Sequence, residues 1–271
     1  MDALALIIPG ALIIGITVGL LGAGGSILSV PILVYLIGQD EKIAIAGSMA
    51  IVGFIALIGS IPCIKAKLVD WKSVLLFGIP GMIGTYGGAW LTVYVSGIVQ
   101  LLAFATVMIA ASVLMLRPII NNKASQKAQT PNDSKTPDND NQRHPVKIII
   151  DGLLVGVLTG FVGVGGGFLI VPALVLLGGL NMHRAIATSM VIIVMKSSSG
   201  FVKYLDVLQE FDLSLDMRVI VIFSVVGAIG SLLGKLASGY IAQDALRRGF
   251  GVFLVIMGSY IMVQSSMQLI A

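Results

Sequence analysis

The sequence predicts an all-α polytopic membrane protein. It has two homologous halves of four to five transmembrane segments each, with Gly-rich broken or re-entrant helices near the midplane. Three observations carry this. Charged residues make up only 11% of the chain, against about a quarter in soluble domains, and they are missing altogether from runs 3–39, 43–64, 73–116, 152–182 and 249–271. A helix needs about 20 apolar residues to cross the hydrocarbon core. Second, the sequence is written twice. At an offset of 141 positions, GLLGAGGSILSVP (19–31) lies on GFVGVGGGFLIVP (160–172) without a gap, and 16 of the 31 positions from Gly19 to Met49 are identical to their partners. Third, each copy carries a tight glycine cluster inside an oily run, where glycine is costly to a helix.

In chain order, Met1-Asp2 lacks the basic start of a signal peptide, so the first apolar run, 4–21, is expected to be kept as a span. Segment 27–37 is too short to cross squarely and reads as a re-entrant limb or a short tilted span. Spans follow at 43–63, 73–93 and 98–117, the second pair separated by a turn near Tyr94–Gly97. The first membrane repeat is thus 1–117. Residues 118–147 form a charged linker: Arg117 to Lys147 holds six Lys/Arg against three Asp. Its polar, Pro-bearing composition predicts disorder, and its positive bias predicts a cytoplasmic location. The second repeat, 148–271, mirrors the first, with spans at 148–163, 185–205, 217–237 and 247–269 and a short segment at 168–178. Eight crossings give 11 loop Lys/Arg on one side against 4 on the other; ten give 12 against 3, with both termini outside. Both counts leave the choice open. Gly81, Gly84 and Gly88 match Gly227, Gly230 and Gly234 after a five-residue insertion, and this spacing predicts close helix packing.

Cys63 is the lone cysteine, and the two histidines, His144 and His183, are expected in loops. No spacing fits a metal site, no nucleophile–base set lies at membrane depth, and no cofactor is implied. The net charge of +4 sits mostly in the linker, so nucleic acid is not expected as a partner. The chain does not read as an enzyme. A homo-oligomer is compatible with it.

The glycine clusters suggest chemistry. GVGGGF begins like a nucleotide loop, but Phe168 takes the third glycine position and no βαβ unit surrounds it. A helix broken at membrane depth explains the clusters better, since irregular backbone is tolerated there when buried in protein or lining a cavity. A break exposes amides at the start of the next half-helix, where the positive dipole end attracts anions. Gly22, Gly24, Gly25 and Ser26, with Gly163, Gly165, Gly166 and Gly167, are therefore expected to form two anion cradles. Lys196 falls near the middle of its span, at a depth where a charge costs about 2.5–3.5 kcal/mol and is normally functional. Lys196 is expected to balance substrate charge, with Ser48, Thr188, Ser189 and Ser197 as hydrogen-bond donors. A lysine snorkelling to the interface and serines bonding between helices are the structural alternatives.

The paired glycine motifs, AIAGS (44–48) with AIATS (185–189), and the doubled G-x-x-G-x-x-x-G segments resemble the sulfite exporter TauE/SafE family over nearly the whole chain except the linker. The resemblance implies an exporter or permease for sulfur oxyanions and organosulfonates such as sulfite. The expected function is secondary transport of a small sulfur-containing anion by alternating access, outward across a bacterial cytoplasmic membrane. An anion channel, or a membrane scaffold using the glycines for packing alone, are the alternatives.

Overall fold

Inside lipid every backbone N–H and C=O must be paired within its own segment, so the uncharged runs fold as helices. The computed structural model describes residues 3–22, 24–116, 145–162 and 167–270, and among these there is helix and no strand. Helix α1 spans Ala3–Leu21. Helix α2 runs Gly24–Pro31 and continues as a π-helical stretch, Ile32–Leu36. Helix α3 is Glu41–Lys65, α4 is Trp71–Tyr94 and α5 is Gly97–Leu116. After the linker come α6, Pro145–Val162; α7, Gly167–Pro172 with a π-helical extension Ala173–Leu177; α8, Met182–Glu210; α9, Met217–Ser238; and α10, Gln243–Ile270. Five helices are long and apolar enough to cross a membrane, and the rest are shorter apolar helices. The disorder expected of the linker concerns residues 117–144, outside the described set; its last three residues, Pro145–Lys147, begin α6.

Side-chain caps fix the helix starts. Asp40 Oδ1 accepts from Lys42 N–H at 2.9 Å, and Asn181, its partner under the 141 offset, accepts from Arg184 N–H at 2.9 Å. Asp70 receives Ser73 N–H at 3.3 Å and Asp216 receives Arg218 N–H at 2.9 Å. Each cap satisfies one of the amides a helix start leaves open. Within α4 a π-helical stretch, Val74–Gly78, ends two positions before Pro80, whose ring lacks the N–H that would bond the carbonyl of Leu76.

Packing follows the glycines. A methyl at Gly15 would collide with the Gly227 carbonyl, one at Gly19 with that of Ser231, and one at Gly234 with that of Ile16, so α1 and α9 run side by side in parallel. Gly84, Gly88, Gly156 and Gly160 interlock α4 with α6 in the same way: methyls there would meet carbonyls of Leu153, Val157, Gly81 and Thr85. Small residues let backbones approach this closely and gain dispersion where lipid offers no hydrophobic drive. Two other pairs run antiparallel. Along α3 and α8, Met49 meets Gly200, Gly53 meets Ser197 and Gly59 meets Met190; along α5 and α10, Met115 meets Gly251 and Met108 meets Gly258. The first short segment folds back on its predecessor, Gly25 lying against Ile14 and Val18 and Gly10 facing Ile32.

Candidate functional site

The first glycine cluster breaks the chain between α1 and α2. Gly22 has φ +73°, a left-handed conformation that glycine adopts freely, and its N–H closes α1 by donating to the Val18 carbonyl at 2.8 Å. The turn docks on α8. A side chain at Gly22 would come within 2.9 Å of Ile186 Cα and Ser189 Oγ. Ser189 donates to the Ile186 carbonyl at 2.8 Å and sits 3.5 Å from the Gly22 carbonyl oxygen. Gly24 starts α2, and Gly25 and Ser26 are buried in its first turn. Of the second cluster, Gly163, Gly165 and Gly166 lie outside the described residues, while Gly167 opens α7 and is buried.

The expected hydroxyls separate. Ser48, buried on α3, donates to the Ile45 carbonyl at 2.8 Å. Thr188 Oγ1, fully buried, accepts the Asp70 N–H at 3.0 Å and ties α8 to the segment leading into α4. Ser197 Oγ is buried without a partner, on the side of α8 that faces Gly53.

Lys196 stands apart. Its side chain is 0% exposed and its Nζ has no hydrogen-bond partner among the described residues. The ammonium lies 5.9 Å from the centroid of the Phe77 ring, a weak cation–π separation. The aliphatic stem passes Gly81, where a methyl would come within 3.2 Å of Cδ and 3.3 Å of Cε. In the other half a methyl at Gly227 would collide with Ile55, and Ile55 is the residue aligned with Lys196 at the repeat offset. The same socket thus holds a lysine in one copy and an isoleucine in the other. The packing does not require the charge.

These groups do not form one cradle. Ser189 and Lys196 are seven positions apart on α8, about 10 Å along the axis. The antiparallel crossing puts Ser48, seven positions before Ile55 on α3, on the opposite side of the crossing point. The residues therefore occupy three levels: Gly22, Gly25, Ser26 and Ser189 toward one face, Lys196 and Ser197 at the α3–α8 crossing, and Ser48 toward the other face.

Sequence reading missed two buried groups beside the second break. Gln100 Nε2 donates to the Phe161 carbonyl at 3.0 Å and to Tyr204 Oη at 3.3 Å, and Tyr204 Oη donates to the Gly160 carbonyl at 3.4 Å. They satisfy carbonyls that the end of α6 leaves unpaired. A signal was present, since Gln100 is the one amide side chain in the uncharged run 73–116. Lys42 was also overlooked. It is buried, with Nζ donating to the Thr92 carbonyl at 3.2 Å and lying 3.5 Å from the Phe211 ring centroid. His183 makes the matching contact in the other half, Nε2 lying 3.1 Å from the Ser238 carbonyl oxygen.

A polytopic helical bundle with a broken helix docked in its interior and an unpaired ammonium at its centre is built like a membrane permease. The chain belongs to the sulfite exporter TauE/SafE family, whose model matches residues 7–261. It is similar to a probable membrane transporter protein of Xylella fastidiosa strain 9a5c, 30% identical over 262 residues, covering 96% of this chain and 95% of the relative. It is also similar to the probable membrane transporter protein YunE of Bacillus subtilis, 34% identical over 223 residues, covering 76% and 79% of the two chains. A probable membrane transporter protein of Methanocaldococcus jannaschii is 26% identical over 278 residues, covering 95% and 96%. No solved structure matches the chain. The family and these relatives are transporters by name, not enzymes.

Proposed function

We propose that the protein is a secondary transporter that exports a small sulfur-containing anion, such as sulfite or an organosulfonate, by alternating access. The observation that carries this is the Lys196 ammonium, fully buried and unpartnered where α3 crosses α8. An unpaired charge at membrane depth is retained for a ligand or an ion path, since it costs stability otherwise. In this reading Lys196 balances the substrate's charge and Ser197 adds a hydroxyl. The first break, Gly22–Ser26, and the matching sequence motif, Gly163–Gly167, are assigned to the way in and out together with Ser48, Thr188 and Ser189.

The helix directions support an inverted repeat spanning 1–117 and 148–271. Where equivalent helices meet, α3 with α8 and α5 with α10, they run antiparallel. The contacts Met49–Gly200 and Met190–Gly59 exchange under the 141 offset, so the relating axis passes between Ile55 and Lys196. An axis relating inverted halves lies in the membrane plane, and substrate sites of such transporters sit near it. Five segments per half put the linker and the Lys65–Lys72 loop on one side, the arrangement with 12 loop Lys/Arg against 3. We assign that side to the cytoplasm of a bacterial cell by the positive-inside rule.

Uptake of labelled sulfite, sulfate, thiosulfate and sulfonates into proteoliposomes tests the proposal, wild type beside Lys196→Met. The expected result is saturable uptake, stimulated by substrate on the far side, that the variant loses at least tenfold. Unchanged affinity in the variant refutes the role of Lys196. Flux without counter-flow stimulation indicates a channel. Intact cellular function in Lys196→Met, with assembly lost in glycine-to-leucine variants, indicates a scaffold.

A further inference from the structure

The seam along which α8 packs on α4 and α6 is polar from the α3–α8 crossing to the face opposite the linker. Lys196, Ser199, Tyr204 and Gln100 follow one another along it. Their counterparts at the repeat offsets are Ile55, Ile58, Cys63 and Leu246. The two seams have matching glycine packing, so this difference is not imposed by the fold.

The outer end of the polar seam holds an unmet demand. Gln100 is fully buried, and its amide orientation is set by the Nε2 bonds to Phe161 O and Tyr204 Oη. Turned over, Oε1 would face the Phe161 carbonyl oxygen. In the orientation found, Oε1 is buried with no donor among the described residues. A buried acceptor without a donor is costly, whereas the same group meeting a donor is favourable. Thr92 connects this point to a charge: its hydroxyl lies against Tyr204, and its carbonyl accepts from the Lys42 ammonium at 3.2 Å. Lys42 makes no ion pair within 4.0 Å among the described residues, and the carboxylates of Asp40 and Glu210 act on it only from a longer range.

The geometry points to a second anion station here, in which Lys42 supplies positive charge and Gln100 Oε1 accepts a hydrogen bond from a substrate carrying its own O–H or N–H. The inference rests on the transport reading and narrows it to anions that bear a hydrogen-bond donor. Sites built around a substrate's hydrogen bond reject analogues that lack it far more strongly than apolar pockets reject a changed methylene. For one orphaned acceptor the discrimination is about tenfold.

The test compares hydroxyethanesulfonate with ethanesulfonate, which have the same charge and nearly the same size, for uptake into proteoliposomes. Wild type is expected to favour the hydroxylated anion about tenfold, and Gln100→Leu, which installs the residue found at position 246, to bring the ratio close to one. Leucine also removes the bond to Phe161, so melting of the detergent-solubilised protein with each anion is measured in parallel. The hydroxylated anion should raise the midpoint more in wild type and equally with ethanesulfonate in the variant. Equal uptake of the two by wild type overturns the station while leaving transport standing, and is the result expected if water alone meets Oε1. A preference that survives in Gln100→Leu overturns it as well. Uptake of neither anion defeats the transport reading for sulfonates, and this inference with it.

Discussion

Gly22→Ala tests whether the first break is built against α8 or merely tolerated there. Two costs are expected. Gly22 has φ +73°, and a left-handed conformation costs a non-glycine residue about 1–2 kcal/mol. The new methyl would also lie 2.9 Å from Ile186 Cα, Ile186 Cγ2 and Ser189 Oγ. Two of those atoms can yield by rotating a side chain, but Ile186 Cα is backbone in the middle of the bundle. Overpacking of that kind costs about 1–3 kcal/mol, for a total of about 2–5 kcal/mol. The chain holds its own control: Gly38 has φ +76° and nothing within 4 Å of the same methyl position. Gly38→Ala therefore carries the conformational term alone. Thermal unfolding in detergent should show Gly22→Ala clearly less stable than Gly38→Ala, and transport by Gly22→Ala should fall at temperatures where it remains folded. Equal destabilisation of the two would show that the break does not depend on its contact with α8, and the account of the cluster as a docked turn would fail.

Lys196→Met should melt higher than wild type by the equivalent of about 1–3 kcal/mol, because an unpartnered buried charge is replaced by an apolar chain of similar length; a lower melting point in the same assay would make Lys196 a structural residue. Thr188→Val strands the Asp70 N–H, which Thr188 Oγ1 accepts at 3.0 Å, and should cost about 1–3 kcal/mol, read by the same unfolding measurement. Gly156→Leu drives a side chain into the Gly81 carbonyl and should separate α4 from α6, giving a protein that aggregates on size-exclusion chromatography. The same substitution at Gly87, which has nothing within 4 Å, should leave the elution profile monodisperse.

The helices were legible because lipid makes demands that a sequence cannot hide. A span must be long, uncharged and internally hydrogen-bonded, and α3 at Glu41–Lys65 and α9 at Met217–Ser238 fall within two residues of the expected spans 43–63 and 217–237. Helix α8 runs on to Glu210, past the expected end at 205, because Lys203 pairs with Asp206 at 3.2 Å one turn further along and charge alone does not end a helix. Helix direction was not legible. That α3 runs antiparallel to α8, and α5 to α10, came from the contacts between distant glycines and their partners, which periodicity does not encode. The depth of Lys196 could be read from its position in the span, but its lack of any partner could not. The hydrogen-bond donors expected to act with Lys196 also do not converge on it: seven helical positions place Ser189 about 10 Å away.

The repeat separates architecture from chemistry. Several residues kept in both copies serve packing: Gly15 with Gly156, Gly84 with Gly230, Gly88 with Gly234, and the buried Phe104 with Phe250. Each copy of such a pair meets the same kind of neighbour, so the fold alone accounts for it. Where the copies differ in polarity at equally buried positions, the fold accounts for neither choice, since the apolar member shows that the socket is satisfied without the polar one. Lys196 with Ile55, Ser197 with Ala56, Tyr204 with Cys63 and Gln100 with Leu246 are such pairs. Every polar member of this set lies on or beside α8, and two of them present atoms with no partner, Lys196 Nζ and Ser197 Oγ, while Gln100 presents a third through Oε1. Buried polar groups cost stability unless something meets them; Ser231 Oγ and Ser238 Oγ on α9 also lack a partner among the described residues, so what sets the α8 side apart is that its orphans include an ammonium and an amide where the other copy has Ile55 and Leu246.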